Sequence, residues 1–263
     1  MNELDRLIAI MKRLRDPDTG CPWDREQTID SIKGFTIEEA YEVVDAIERN
    51  NMEDLKDELG DLLFHVVFYS ELADEKGNFD IQEVIAQVCE KLERRHPHVF
   101  SDMTLQSSDE VKALWEKTKR EERQSIEKNK QSILDDISPH MPALMRAIKL
   151  QKRAASVDFD WQDIDSVIDK VQEELDELRE AVTQNSNTAH IKEEMGDLLF
   201  CCINLARKLR IDPETTLRQT NDKFIYRFQY IEEQLIKNGL NLENATLEEM
   251  DRLWNQAKEV TSS

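Results

Sequence analysis

The segment LKDELGDLLF at 55–64 returns as IKEEMGDLLF at 191–200, and the reading of that pair decides the fold. Upstream, EEAYE at 38–42 matches EELDE at 173–177. Downstream, KLERR at 91–95 matches KFIYR at 223–227 as Lys-x-x-x-Arg, and WEKTK at 115–119 matches WNQAK at 254–258 as Trp-x-x-x-Lys. Four motifs in one order, with similar gaps, describe a duplicated unit of roughly 130 residues. The join falls within 125–142, where the helical pattern lapses and Pro139 and Pro142 forbid a continuous helix. The expected organisation is a first domain at 1–128, a linker at 129–141 and a second domain at 142–263.

Composition points to helices. Six Gly and six Pro in 263 residues are under half the usual share of roughly 12 %, which leaves few turns and long elements. The spacing predicts helices at 3–15, 36–49, 52–75, 81–95 and 108–124, then at 142–155, 165–183, 189–209, 214–237 and 246–260. Thr36 with Glu39, and Thr246 with Glu249, have the form of capping boxes. Asp212-Pro213 offers an N-cap with Pro at the first helical position, and Asn238-Gly239 a C-terminal stop. The fold expected is all-α, two tandem repeated helical-bundle domains.

Lys and Arg number 35 against 56 Asp and Glu, a formal charge of −21. No dense basic patch offsets this excess, so an extended nucleic acid is excluded as a partner. Apolar residues make up 39 % of the chain, enough to bury a core rather than form a solvated tail. The longest apolar stretches, 62–69 and 198–206, fall short of the roughly 18 residues that a membrane helix needs. The start, MNELDRLIAIMKRLRD, is amphipathic and reads as no signal peptide. Cys21, Cys89, Cys201 and Cys202 lack CxxC spacing and read as reduced, mostly buried thiols of a cytoplasmic protein.

Glu39 and Glu42 share one helical face, as do Glu58 and Asp61 on the next helix. The two pairs are centred about Asn50 in a polar turn, so an antiparallel hairpin brings them level, about ten residues or roughly 15 Å from the bend. Glu174, Glu177, Glu194 and Asp197 repeat the construction about the turn at 184–187. Four level carboxylates repel one another unless a cation sits among them, and all-oxygen ligands suit Mg²⁺ or Mn²⁺. Mg²⁺ keeps positions for substrate phosphates, so a metal-bound di- or triphosphate is the expected ligand. Lys223, Arg227 and Lys258 would hold phosphate oxygens, and Trp254 would stack on a base or ribose with little discrimination. Mid-helix Gly60 and Gly196 each cost roughly 1 kcal/mol relative to Ala, so a ligand or a packed helix is expected to approach the backbone there.

Other constellations carry less. His96-Pro97-His98 reads as a turn, since no third His or Cys ligand is evident. His65 has Cys201 as its counterpart, so it is not part of the shared site. A di-iron bundle would want Glu-x-x-His on two helices, and here that position is Asp61 or Asp197; no Gly-rich phosphate loop or nucleophile elbow appears.

At these residues the sequence resembles the MazG nucleoside triphosphate pyrophosphohydrolases of the all-α NTP pyrophosphatase superfamily. EExxE followed by ExGD is that family's signature and occurs twice, as in its two-domain members; GCPWD at 20–24 and RRHPHVF at 94–100 resemble the family's amino-terminal half. The resemblance covers nearly the whole chain. It implies Mg²⁺-dependent cleavage of NTPs and dNTPs between the α- and β-phosphates, with broad base tolerance, by helical domains that form a homodimer. Position by position it implies Glu174, Glu177, Glu194 and Asp197 as Mg²⁺ ligands. Lys170, Glu173, Glu193, Lys223, Arg227, Trp254 and Lys258 would contact nucleotide or organise the site, with Glu173 or a neighbouring carboxylate as catalytic base. The halves differ at one telling place: Lys170 precedes Glu174 by one turn, where the first unit has Phe35 before Glu39. The second unit is therefore the expected hydrolytic site, and Glu39, Glu42, Glu58 and Asp61 form a weak, regulatory or structural copy. His190 stands where the family can carry a phosphate-contacting Lys. Two alternatives remain open to the sequence: an acidic helical interaction module, and a nucleotide-selective dUTP or dCTP pyrophosphatase.

Overall fold

A computed structural model describes residues 2–101, 103–126, 132–184 and 186–261, and its regular structure there is α-helical, with no strand among the described residues. The chain divides into two units, Met1–Lys128 and Asn129–Ser263. Among the described residues no helix is long and apolar enough to cross a membrane.

The first unit contains α1 (Glu3–Leu14), α2 (Pro22–Glu26), α3 (Lys33–Glu48), α4 (Met52–Asp74), α5 (Ile81–Arg95), α6 (Pro97–Phe100) and α7 (Ser108–Ile126). Reciprocal capping boxes start α1, from Asn2 and Asp5, and α5, from Asp80 and Glu83. Asn51 caps α4 by accepting the N–H groups of Glu53 and Asp54. Between α3 and α4 the chain reverses at Asn50, whose φ of 57° lies in the left-handed region that Asn tolerates. The core joins Met11, Ile32, Val67, Phe68, Leu72 and Ile81, so α1 and α5 pack against the second half of α4 and leave its first half to the site.

Three local expectations are corrected. Thr36 is not an N-cap: α3 begins three residues earlier, at Lys33, and the Thr36 hydroxyl instead meets Tyr69 Oη at 2.8 Å and His65 Nδ1 at 3.1 Å. The short α2 and α6 fall outside the expected helices, α6 overlapping the stretch expected as a turn, and each is started by a Pro at its first position. All four cysteines are free thiols, but only Cys201 is buried; Cys89 and Cys202 are exposed because both lie on the outer faces of α5 and α10.

The second unit contains α8 (Ala143–Ala155), α9 (Ile164–Thr183), α10 (Thr188–Lys208), α11 (Pro213–Lys237) and α12 (Leu247–Thr261). Asp163, Asn187 and Asp212 cap α9, α10 and α11 through side-chain oxygens. Thr246 and Glu249 form the expected capping box at the start of α12. Gly239, at φ 71°, ends α11 while the Leu240 N–H returns to the Leu235 carbonyl. Asn185 of the expected α9–α10 turn, and 129–131 of the expected linker, lie outside the described residues. Within the rest of that linker, Ile137 is buried, and Arg153 on α8 donates to the Ile133 carbonyl and the Asp136 carboxylate at 2.6 Å each. Asp160, ahead of α9, is gripped by Arg207 at 2.5 Å and Lys208 at 2.9 Å from the end of α10, which ties the two segments of chain together at the open end of the α9–α10 hairpin.

Candidate active site

In the second unit, Glu174 comes from α9 and Glu194 and Asp197 from α10. One carboxylate oxygen of each lies within 4.8 Å of the others. Glu174 is buried, Glu194 half-buried and Asp197 exposed, so the group opens to solvent on the Asp197 side. Glu177, one turn after Glu174, stands outside that set of three and is exposed. Its carboxyl is nonetheless pushed up, first by partial desolvation and then by the charge of Glu174.

Lys170 precedes Glu174 by one turn, and its ammonium donates to Glu174 at 2.8 Å and to Glu173 at 2.9 Å. Those two bonds raise its pKa further above the lysine range, so it is a fixed positive charge. From the start of α10, His190 Nδ1 lies 3.3 Å from Glu194 and 3.8 Å from Glu193. Lys170, Glu173, His190, Glu193 and the carboxylates therefore form one neighbourhood on α9 and α10.

Lys223, Arg227, Trp254 and Lys258 belong to the α11–α12 pair. The Arg227 guanidinium lies over the Trp254 ring, 5.6 Å from its centroid. Trp254 also packs at 5.3 Å from Phe224 and against the Ile231, Leu235 and Leu253 core, so it is half-buried at the edge of that core with a cation over its ring. Lys223 is exposed one turn before Arg227, and Lys258 donates to Asn255 at 2.9 Å. This cationic group thus stands on a different helix pair from the carboxylates.

The first unit builds the same carboxylate arrangement from α3 and α4: oxygens of Glu39, Glu58 and Asp61 also lie within 4.8 Å of one another. Glu39 Oε2 is buried with no hydrogen-bond partner. Burial first, then the charges of Asp61 and Glu42, pushes the Glu39 carboxyl above its usual range, and Glu58 rises through burial and its neighbours Glu42 and Asp61. Where the second unit has Lys170, the exposed Phe35 sits edge-on to Trp23 at 6.2 Å. One cluster therefore has a lysine built in and the other does not.

A Cβ built on Gly60 or Gly196 meets nothing within 4 Å. Tight helix packing at these glycines is accordingly ruled out among the described residues, and the backbone beside each cluster faces open space. All-oxygen donors beside open backbone in both clusters, with the orphaned Glu39 oxygen in the first, fit a hard divalent cation such as Mg²⁺ or Mn²⁺.

Two arrangements escaped the sequence reading. The Thr36, His65 and Tyr69 network gave no signal beyond a Thr that also fits a capping pattern. Arg94 and Arg95 both clasp Glu122, whose counterpart in the repeat is the uncharged Thr261; that break in the duplication was the available clue.

Comparison with known proteins agrees with the duplication. The model of the MazG nucleotide pyrophosphohydrolase domain matches residues 27–100 and 162–231, which include both carboxylate clusters. The chain is 51 % identical over 262 residues to a nucleoside triphosphate pyrophosphohydrolase of Escherichia coli (strain K12), covering 98 % of each chain. It is 44 % identical over 254 residues to a nucleoside triphosphate pyrophosphohydrolase/pyrophosphatase MazG of Thermotoga maritima, covering 97 % and 95 %. A solved MazG-related protein from Thermotoga maritima aligns with 44 % of this chain and 98 % of its own, at 28 % identity and a TM-score of 0.38. With the domain matched in both halves and half the residues shared with a relative along the full length, the chain is a hydrolase that belongs to the MazG nucleotide pyrophosphohydrolase family.

Proposed function

We propose that the second unit hydrolyses nucleoside triphosphates, ribo and deoxy, between the α- and β-phosphates, releasing a nucleoside monophosphate and pyrophosphate with broad base tolerance. The observation that carries this is the approach of Glu174, Glu194 and Asp197 to one another beside the fixed cation of Lys170. The names of the full-length relatives support the reaction class. Glu174, Glu194 and Asp197 would hold Mg²⁺ or Mn²⁺, with Glu177 adding charge at the edge of the set. When bound, the cation neutralises the triphosphate and polarises the attacking water.

The chain's own residues divide the remaining work. Glu173 is exposed and its carboxylate is oriented by Lys170, which suits it to take the proton of the attacking water. Lys170, left facing the reaction, then balances charge on the departing pyrophosphate. Lys223, Arg227 and Lys258 supply phosphate contacts, and Trp254, anchored in the α11–α12 core, offers a surface that any base or ribose can use. His190 and Glu193 brace Glu194. Apolar residues left exposed on the hairpins, among them Ile37, Leu59 and Leu63 on α3–α4 and Met195, Leu199 and Phe200 on α9–α10, support a homodimer; sedimentation tests it.

Replacing Glu174, Glu194 or Asp197 by Ala should abolish metal-dependent pyrophosphate release. Full activity in any of the three would refute the site. Rates across the common ribo- and deoxyribonucleotides decide base tolerance, and one strongly preferred base would replace the broad reading with a selective one.

A further inference from the structure

Arg94 and Arg95 end the Lys-x-x-x-Arg segment of the first unit, and one carboxylate takes both guanidinium groups. Arg94 lies 2.7 Å from Glu122 Oε1, and Arg95 lies 2.5 Å from Glu122 Oε2 and also approaches it through Nε at 3.1 Å. The Glu122 side chain is only 16 % exposed. Around this contact, between α5 and α7, runs a cavity of about 900 Å³ lined by Lys91, Arg94, Arg95, Thr118, Glu121 and Glu122, with Gln87 and Glu90 at its other side. That volume lies within the range of small-molecule sites, roughly 300–1,000 Å³.

The repeat says what this place was built from. Lys91 corresponds to Lys223, Arg95 to Arg227, Trp115 to Trp254 and Lys119 to Lys258. Seven residues past the Trp, the first unit has Glu122 and the second has Thr261. Those three cations are kept, Arg94 stands where the second unit has Tyr226, and an anion has been added opposite Arg94 and Arg95. Planar guanidinium groups grip a phosphate as they grip a carboxylate, through paired N–H donors, so Glu122 presents to Arg94 and Arg95 what a phosphate would present.

We propose that the first unit carries a site for a phosphate-bearing anion between α5 and α7, and that Glu122 is its internal occupant, keeping polyphosphate out of this unit. The inference rests on the reading of Lys223 and Arg227 as phosphate contacts in the second unit. The Glu122 carboxyl is held down to about 2, chiefly by its bond from Arg95, so the occupant stays charged at any pH at which the protein works. Lys91 and Thr118 line the same cavity and supply further donors to an anion larger than a carboxylate. The second unit, lacking this carboxylate, is left as the one that receives the triphosphate.

Titration calorimetry of inorganic pyrophosphate into the full chain with chelator present tests the proposal, comparing wild type with Glu122→Gln and Glu122→Thr. Both variants should bind one more pyrophosphate per chain than wild type, and adding Arg95→Ala to Glu122→Gln should remove that gain. An unchanged count in folded variants, or a wild-type site already lost on Arg95→Ala, overturns the proposal and leaves Glu122 as a brace between helices. If both variants melt below the assay temperature, melting is repeated with millimolar pyrophosphate. Restored folding beyond any effect on wild type supports the proposal, and no restoration overturns it. Nucleotide hydrolysis is read on the same protein preparations with Mg²⁺ added and no chelator: its absence in wild type defeats the functional reading of the second unit, whereas the gained site alone decides the role of Glu122.

Discussion

Lys170 Nζ lies 2.8 Å from Oε1 of Glu174, so the buried carboxylate of the second cluster is already paired with a cation before any metal arrives. A divalent cation must share Glu174 with that ammonium. At about 4 Å and an effective dielectric near 20, the repulsion between a double and a single positive charge is at most about 8 kcal/mol. Since Lys170 keeps 30 % of its side chain exposed, screening reduces this to about 1–2 kcal/mol. Lys170→Met should therefore bind Mn²⁺ about 5–30-fold more tightly in calorimetry without nucleotide, yet hydrolyse nucleoside triphosphates at least about tenfold more slowly, because the phosphates lose a contact. Unchanged affinity and rate together would make Lys170 a helix-surface residue.

The hairpins and their carboxylates were legible because duplication and turn-centred spacing act along the chain. Asn50 and the pairs about it can be placed by counting, and Asp212-Pro213 and Thr246–Glu249 are local devices whose partners lie within three residues. Thr36 shows the limit. Its pattern with Glu39 is a valid cap, but the hydroxyl finds His65 and Tyr69 across the hairpin, and those long-range bonds prevail over the local option. The pairing of Glu122 with Arg94 and Arg95 is likewise a contact between separate helices, which periodicity does not encode.

The Glu122 contact gives the first unit a pH dependence with a definite sign. The folded carboxyl sits at about 2 against an ordinary 4.5, so the fold gains stability from its ionised form. That gain is complete above about 4.5 and is lost as pH falls from there toward about 2. For a partly exposed ion pair it amounts to on the order of 1 kcal/mol. Thermal melts from pH 6 to pH 2.5 should show wild type losing this increment relative to Glu122→Gln, and parallel curves for the two would remove the contact from the stability account.

Thr36 predicts a second stability effect. Its hydroxyl satisfies the buried His65 Nδ1 and the Tyr69 hydroxyl at once. Thr36→Ala strands those groups and should cost about 1–3 kcal/mol, whereas Thr36→Ser, which keeps the oxygen, should cost less than half of that. Denaturant unfolding compares the two. Equal losses would indicate that the methyl group, not the hydroxyl, matters.

Gly196 sits in mid-helix one residue before Asp197, with nothing within 4 Å of where a Cβ would lie. A glycine there costs roughly 1 kcal/mol of helix stability relative to Ala, and no packing within the chain compensates. Gly196→Ala should accordingly raise the melting temperature. If the open space beside the carboxylates is where a metal-bound triphosphate approaches the backbone, the same methyl should lower kcat/KM for nucleotide hydrolysis while Mn²⁺ binding stays as in wild type. A more stable and fully active variant would show that the space is solvent only. A variant more stable but altered in sedimentation would assign it to a second copy of the chain. The glycine is destabilising in the isolated fold, so its place beside Asp197, matched by Gly60 beside Asp61, is best accounted for by something that approaches from outside.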